Sequence, residues 1–156
     1  MKTCPVVLVA DDEVADVALL QRAVAKARTR VRFDFVHDGV ETLNYLQSCP
    51  PGSLPEVLLL DLKMPRMNGF EVLQCLRRWP HLRPATVGVL SSAGDWEAIH
   101  RASELGVDHY FVKPSSPDDL IAMVKQLEQY CPEPAFVPLL VPAPGAALRL
   151  APAAAA

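Results

Sequence analysis

The chain has 156 residues, 51% of them apolar, and a formal net charge of −3. That length suits one domain with a short appendage and a core of its own. The acidic balance speaks against nucleic acid as the main partner, because phosphate-binding domains carry a basic face. No apolar run approaches the roughly 18 residues that a membrane helix needs. Four cysteines, Cys4, Cys49, Cys75 and Cys131, form neither a Cys-x-x-Cys pair nor a zinc spacing. Met1-Lys2-Thr3-Cys4 leads straight into a strand-like segment instead of a long apolar leader. These features set the expectation of reduced thiols in a cytoplasmic protein.

Cys4 to Ala10 reads as a first strand, rich in valine, that runs into Asp11-Asp12-Glu13. Val17, Leu20, Val24 and Ala27 then recur at helical spacing, with Lys26 and Arg28 at the end where a helix favours cations. Val31 to Val36 alternates apolar and polar residues, as a half-buried edge strand does. Asp38-Gly39 turns the chain into a second helix on Val40, Leu43 and Leu46. After the loop Pro50-Pro51-Gly52-Ser53, Val57-Leu58-Leu59-Leu60 is a continuous apolar run that ends on Asp61. Such a run, bounded by turn residues, reads as a strand buried on both faces.

Pro65 and Asn68-Gly69 mark the loop after it, and a third helix turns Val72, Leu73, Leu76 and Trp79 inward. Thr86 to Leu90 is a fourth strand ending in Ser91-Ser92. Asp95 is placed to cap a fourth helix carrying Trp96, Ile99 and Leu105, with Gly106 as its terminator. Val107 to Val112 is a fifth strand ending in Lys113-Pro114. Ser116-Pro117 opens a fifth helix with Leu120, Ile121, Val124 and Leu127 facing inward.

Five strands alternating with five helices predict a doubly wound parallel α/β sheet with right-handed crossovers. The division expected is a domain over 1–130 and a Pro/Ala-rich tail over 131–156. Six of the 15 prolines fall in that tail, too many for a long helix or a central strand. A disordered tail is therefore expected, with Ala135 to Val141 as its apolar part.

In such a sheet every strand's C-terminal end opens onto one crevice. Asp11 and Asp12, Asp61, Ser91 and Ser92, and Lys113 are thus predicted to converge. Taken singly, each has a plainer reading: Asp11-Asp12 as a helix cap, Ser91-Ser92 as a turn, Lys113-Pro114 as nothing in particular. Together, at the ends of successive strands, they are far more specific. Three clustered carboxylates repel one another, and a hard cation such as magnesium relieves them with oxygen ligands. No histidine or cysteine accompanies the acids, which speaks against zinc or copper there. The four histidines, His37, His81, His100 and His109, show no ligand spacing, and Trp79 and Trp96 read as packing residues. A lysine and a hydroxyl beside a magnesium-binding carboxylate suit phosphoryl transfer, with a carboxylate as nucleophile.

Leu8-Val9-Ala10-Asp11-Asp12, Leu60-Asp61-Leu62-Lys63-Met64-Pro65 with Asn68-Gly69, Ser91, and Tyr110-Phe111-Val112-Lys113-Pro114 together resemble the receiver domain of two-component response regulators. The resemblance spans about Pro5 to Tyr130. It implies a flavodoxin-like (βα)5 fold of strand order 2-1-3-4-5, with Asp61 as phosphoacceptor. It implies that Asp12 and, partly through water, Asp11 hold Mg2+ together with Asp61 and the Lys63 backbone carbonyl. Lys113 would pair with the phosphoryl group, Ser91 would be the switch hydroxyl, and Tyr110 the aromatic that turns with it. Lys113-Pro114 becomes a candidate for a cis peptide bond. Ala10 to Leu19, the long second loop and Asp38-Gly39-Val40-Glu41 are similar to stand-alone receivers that accompany phytochrome-type histidine kinases.

The implied protein is a single-domain response regulator. It takes phosphate from a histidine kinase, of the phytochrome type by the nearer similarity, or from a phosphotransfer protein, and signals to a downstream protein target. The resemblance also implies a homodimer through the fourth helix, fifth strand and fifth helix, and no nucleic-acid or membrane partner. The competing reading is a phosphorylation-independent adaptor of the same fold. A turnover phosphatase is disfavoured because Lys63 stands where a second acid is needed.

Overall fold

The structure, a computed structural model, describes residues 4–133. The tail from 134 onward lies outside the described residues, so the expectation of disorder there is not addressed. In chain order the elements are β1 (Val6–Ala10), α1 (Val14–Ala27), β2 (Arg32–Val36), α2 (Gly39–Ser48), β3 (Val57–Asp61), α3 (Gly69–Arg78), β4 (Thr86–Ser91), α4 (Trp96–Glu104), β5 (His109–Val112) and α5 (Pro117–Glu128). One 3-10 turn, Pro80–Leu82, joins α3 to β4. All strand pairs are parallel, in the order β2-β1-β3-β4-β5. The predicted sheet and its order are both present.

Strand periodicity divides the core into two layers. Leu8, Leu58, Leu60, Val87 and Val89 face one side, against Leu43, Leu46, Val72, Leu76 and Ala102 of α2, α3 and α4. Val7, Val9, Val57, Leu59, Leu90 and Phe111 face the other, against Leu20 and Ala23 of α1 and Leu120, Val124 and Leu127 of α5. Residues of β1 and β3 are buried throughout, which is why these strands read as unbroken apolar runs. Each fully buried aliphatic side chain contributes about 1.5–3 kcal/mol.

Local signals start the helices where the sequence places them. Asp38 caps α2 by accepting the Glu41 N–H at 2.8 Å. At α3, Asn68 Oδ1 accepts the Glu71 N–H and Glu71 Oε2 accepts the Asn68 N–H, a reciprocal capping box. Ser116 caps α5, with Pro117 in its first turn. Gly106, at φ 84°, follows the end of α4 in the left-handed region.

Two expectations fail. Trp96 is 69% exposed and so is not a packing residue, while Trp79, at 39% exposed, is only partly turned inward. Helix α4 turns Ala98, Ala102 and Leu105 toward the core, and Trp96, two residues before Ala98, falls on the opposite side of that stripe. Trp79 follows α3 at φ −122°, outside the helical repeat. The Lys113-Pro114 bond is trans, since no described peptide bond is cis.

Candidate functional site

The pairing register assembles the site. Ala10 lies beside Leu60 in the β1–β3 ladder, Asp61 beside Leu90, and Ser91 beside Val112. Each strand therefore delivers its next side chain to the same end of the sheet. Asp12, Asp16, Asp61, Lys63, Ser91, Ser92, Asp95 and Lys113 line a cavity of about 220 Å³ there. A larger cavity of about 380 Å³ lies near the start of β4, lined by Leu73, Leu76, Val87 and Leu105. It lacks the carboxylate cluster, so chemistry and not volume locates the site.

Asp11 and Asp61 are 4% and 6% exposed, while Asp12 is open to solvent. One carboxylate oxygen from each lies within 4.8 Å of the others. The Lys113 ammonium donates to Asp61 at 2.9 Å, to Asp16 at 3.1 Å and to Asp11 at 3.3 Å. Burial raises the Asp11 carboxyl above its ordinary range, against the lowering effects of the Glu13 N–H and the Lys113 charge. For Lys113, burial works against the charge, but hydrogen bonding and attraction from Asp61, then Asp16, outweigh it and hold the ammonium above the usual lysine range. Lysine is the fixed positive centre of this pocket at any physiological pH.

Asp61 also accepts the Lys63 N–H at 3.0 Å, which orients the carboxylate at the start of the β3–α3 loop. Gly69 lets α3 begin directly against that strand tip: its N–H donates to the Leu62 carbonyl at 3.1 Å. The same loop is clamped from the side. Arg66, in the left-handed region at φ 62°, donates through Nε to the buried Asp38 at 2.8 Å and also pairs through its terminal nitrogen. Burial alone would raise the Asp38 carboxyl, but the Glu41 N–H and Arg66 prevail and hold it below the ordinary range.

Ser91 Oγ is the buried side-chain oxygen that has no hydrogen-bond partner among the described residues. An orphaned hydroxyl is costly, and it lies in the wall of the acidic cavity. Tyr110 is 51% exposed on β5, and Trp96 and Val112 are exposed as well. Trp96, Ile99, Val107 and Tyr110 border a shallow hollow of about 520 Å³. The histidines take no part in the site: His37, His81 and His100 are exposed, and His109 stacks on Tyr130 with ring centroids 4.6 Å apart.

The structure thus brings Asp11, Asp12, Asp61, Ser91 and Lys113 into one pocket, with Tyr110 outside it on the neighbouring face. Sequence reasoning missed three participants. Asp16 reaches Lys113 from α1, Asp95 pairs with Lys63 at 3.5 Å across the mouth, and Arg66 clamps Asp38. Asp16 carries a faint signal in its position four residues after Asp12; the Arg66–Asp38 contact carries none.

The donor set suits a hard divalent cation: carboxylate oxygens without histidine or thiolate, two of them buried and mutually repulsive. Fold and site together define a doubly wound domain whose crevice gathers a carboxylate cluster suited to a divalent cation, with a lysine ammonium beside it. Residues 7–125 match the response regulator receiver domain family, and the chain belongs to it. Receiver domains are signalling proteins and not turnover enzymes.

In sequence the chain is 28% identical over 136 residues to response regulator Rcp1 of Synechocystis, covering 85% of this chain and 92% of Rcp1. In structure it resembles the phosphorylated cyanobacterial phytochrome response regulator RcpA, at 30% identity and TM-score 0.71, over 82% of this chain and 94% of RcpA. It also resembles RPA3017, a response regulator in red light signalling of R. palustris, at 32% identity and TM-score 0.71, over 81% and 92% of the two chains. A manganese-bound form of Rcp1 matches at 29% identity and TM-score 0.67, over 80% of this chain and 92% of the other. RcpA is thus a phytochrome response regulator and RPA3017 acts in red light signalling, and the acidic cluster of this chain is of the kind that binds a divalent metal.

Proposed function

We propose that Asp61 is the phosphoacceptor and that the chain relays a signal by accepting a phosphoryl group from a histidine kinase or a phosphotransfer protein. The observation that carries this reading is the Lys113 ammonium 2.9 Å from the buried Asp61 carboxylate, beside the Asp11–Asp12 oxygens. An Asp61 oxygen would attack phosphorus as the P–N bond of a phosphohistidine breaks, giving an acyl phosphate and free imidazole. Lys113 would hold the incoming oxygens, and later hydrolysis would return the carboxylate and inorganic phosphate.

Asp11, Asp12, Asp61 and the Lys63 backbone carbonyl would hold Mg2+. When bound, the cation would neutralise charge on the transferring group. Ser91 Oγ, free of a protein partner, would turn to a phosphoryl oxygen. That shift of the β4 end would make room for Tyr110 to reorient and so change the α4–β5–α5 face. The exposed apolar side chains Trp96, Tyr110 and Val112 on that face support it as the surface for a downstream protein target or for a homodimer. The phytochrome association of the relatives supports a phytochrome-type kinase as donor. A kinase phosphohistidine as donor supports a cytoplasmic location, and no helix among the described residues is long and apolar enough to cross a membrane.

The test is intact-mass analysis after incubation with acetyl phosphate, with and without Mg2+, for the full chain and for Asp61→Asn. A Mg2+-dependent phosphoryl adduct that disappears in Asp61→Asn is the expected result. No adduct from acetyl phosphate or from a panel of phosphorylated histidine kinases would overturn the reading.

A further inference from the structure

The geometry points to Asp16 as a positioning residue for Lys113, the carboxylate that keeps the ammonium over the phosphoryl group once the other acids are engaged. This inference rests on the reading of Asp61 as phosphoacceptor. A lysine ammonium has three N–H donors, and here each has its own acceptor: Asp61, Asp16 and Asp11, at 2.9, 3.1 and 3.3 Å. The three acceptors differ in what phosphorylation does to them. Asp11 belongs to the oxygen group that a divalent cation would occupy, with Asp12 and Asp61. Asp61 becomes an acyl phosphate, whose ester oxygen is a weak acceptor and whose charge moves outward onto the phosphoryl oxygens. Asp16 lies outside that oxygen group and is not chemically altered by the reaction.

Asp16 is also rooted differently. It projects from the first turn of α1, whereas the other two acids sit at strand tips. Its side chain is 43% exposed, against 5% for Asp11 and 9% for Asp61, so it approaches Lys113 from the solvent side of the pocket. Lys113 reaches the pocket on a flexible four-carbon stem. Without a constant partner, that stem would regain its rotamers as soon as Asp11 and Asp61 were taken. With Asp16 in place, one N–H stays anchored on α1 and another remains directed at the phosphoryl position.

A plainer role competes with this one. An acid in the first turn also favours α1 through the helix dipole, the more so because Glu13 gives that helix no side-chain cap. A bystander charge is a third option: it would repel an anionic donor, so that its removal would speed the reaction. The experiment compares the full chain with Asp16→Ala and Asp16→Glu. It measures the rate of phosphoryl uptake from saturating acetyl phosphate in Mg2+ by intact mass, and the thermal midpoint of each protein.

The expected result is uptake slowed by about fivefold in Asp16→Ala, the factor of a half-exposed ion pair, with recovery toward wild type in Asp16→Glu. Uptake that is unchanged or faster in Asp16→Ala overturns the inference. So does slowing with a lowered thermal midpoint and no recovery in Asp16→Glu, which would assign Asp16 to the helix start alone. If the wild-type chain itself takes up no phosphoryl group, the phosphoacceptor reading has failed, and that outcome is distinct from the others.

Discussion

Replacing Gly69 by alanine tests whether the β3 tip and the start of α3 are packed as tightly as the site demands. A Cβ at Gly69 would lie 2.5 Å from the Asp61 carbonyl oxygen and 2.8 Å from Leu62 Cα. Both neighbours are backbone, so no rotamer change relieves the clash; the strand tip or the helix start must move by at least a few tenths of an ångström. Two effects of opposite sign compete. Alanine is the better helix former by up to about 1 kcal/mol, an advantage weakened at a first helical position. Overpacking against backbone costs about 1–3 kcal/mol. The clash wins, and the expected net loss is about 1–2 kcal/mol, or a midpoint lower by roughly 3–8 °C.

Thermal and urea unfolding of wild type and Gly69→Ala give the number. Phosphoryl uptake from acetyl phosphate should fall too, because the atom displaced belongs to Asp61. Gly88→Ala is the informative contrast. Its added Cβ meets the Phe111 ring edge at 2.9 Å, a side chain that can yield, so the loss there should be smaller. A Gly69→Ala midpoint equal to or above wild type would refute the argument, since it would mean that the helix gain exceeds a backbone clash.

Two other perturbations follow from the same geometry. Asp38→Ala removes the α2 cap and should cost about 1 kcal/mol. The Asp38 pKa is lowered by folding, so its contribution is complete above the ordinary aspartate value of 3.8 and fades as pH falls through the depressed value. The unfolding midpoints of wild type and Asp38→Ala should therefore converge in strong acid; a gap that persists there would count against the ion pair. Mg2+ should raise the wild-type thermal midpoint with concentration, by linkage. Asp12→Asn, at an exposed position, should leave the metal-free midpoint within about 0.5 kcal/mol of wild type and flatten the Mg2+ response. An undiminished response would remove Asp12 from the ligand set.

Much of this protein is legible along the chain for a simple reason. Val57 to Leu60 is apolar because β3 is covered on both faces, and the first polar residue after it, Asp61, marks the point where the strand leaves the core. The same logic locates Asp11 after β1, Ser91 at the end of β4 and Lys113 after β5. A parallel sheet sends all these ends one way, so a one-dimensional pattern of apolar runs and their terminal residues already specifies a pocket in three dimensions. Asp38, Asn68 and Ser116 are readable as caps because a cap bonds within three residues of itself.

What the chain order leaves open are contacts between side chains on separate elements. Asp16 meets Lys113 across 97 positions and Arg66 meets Asp38 across 28; neither follows from periodicity, because each depends on how far a long side chain reaches over a packed surface. The outward Trp96 belongs to the same class. The sequence of α4 shows apolar residues on more than one side, and only its docking, with Ala98, Ala102 and Leu105 on the sheet, decided that Trp96 faces solvent. Sequence by itself determined which residues stand at the strand ends that open on the pocket, since burial is written into local composition. Tertiary structure alone decided which of them touch, since contact depends on the relative placement of elements far apart in the chain.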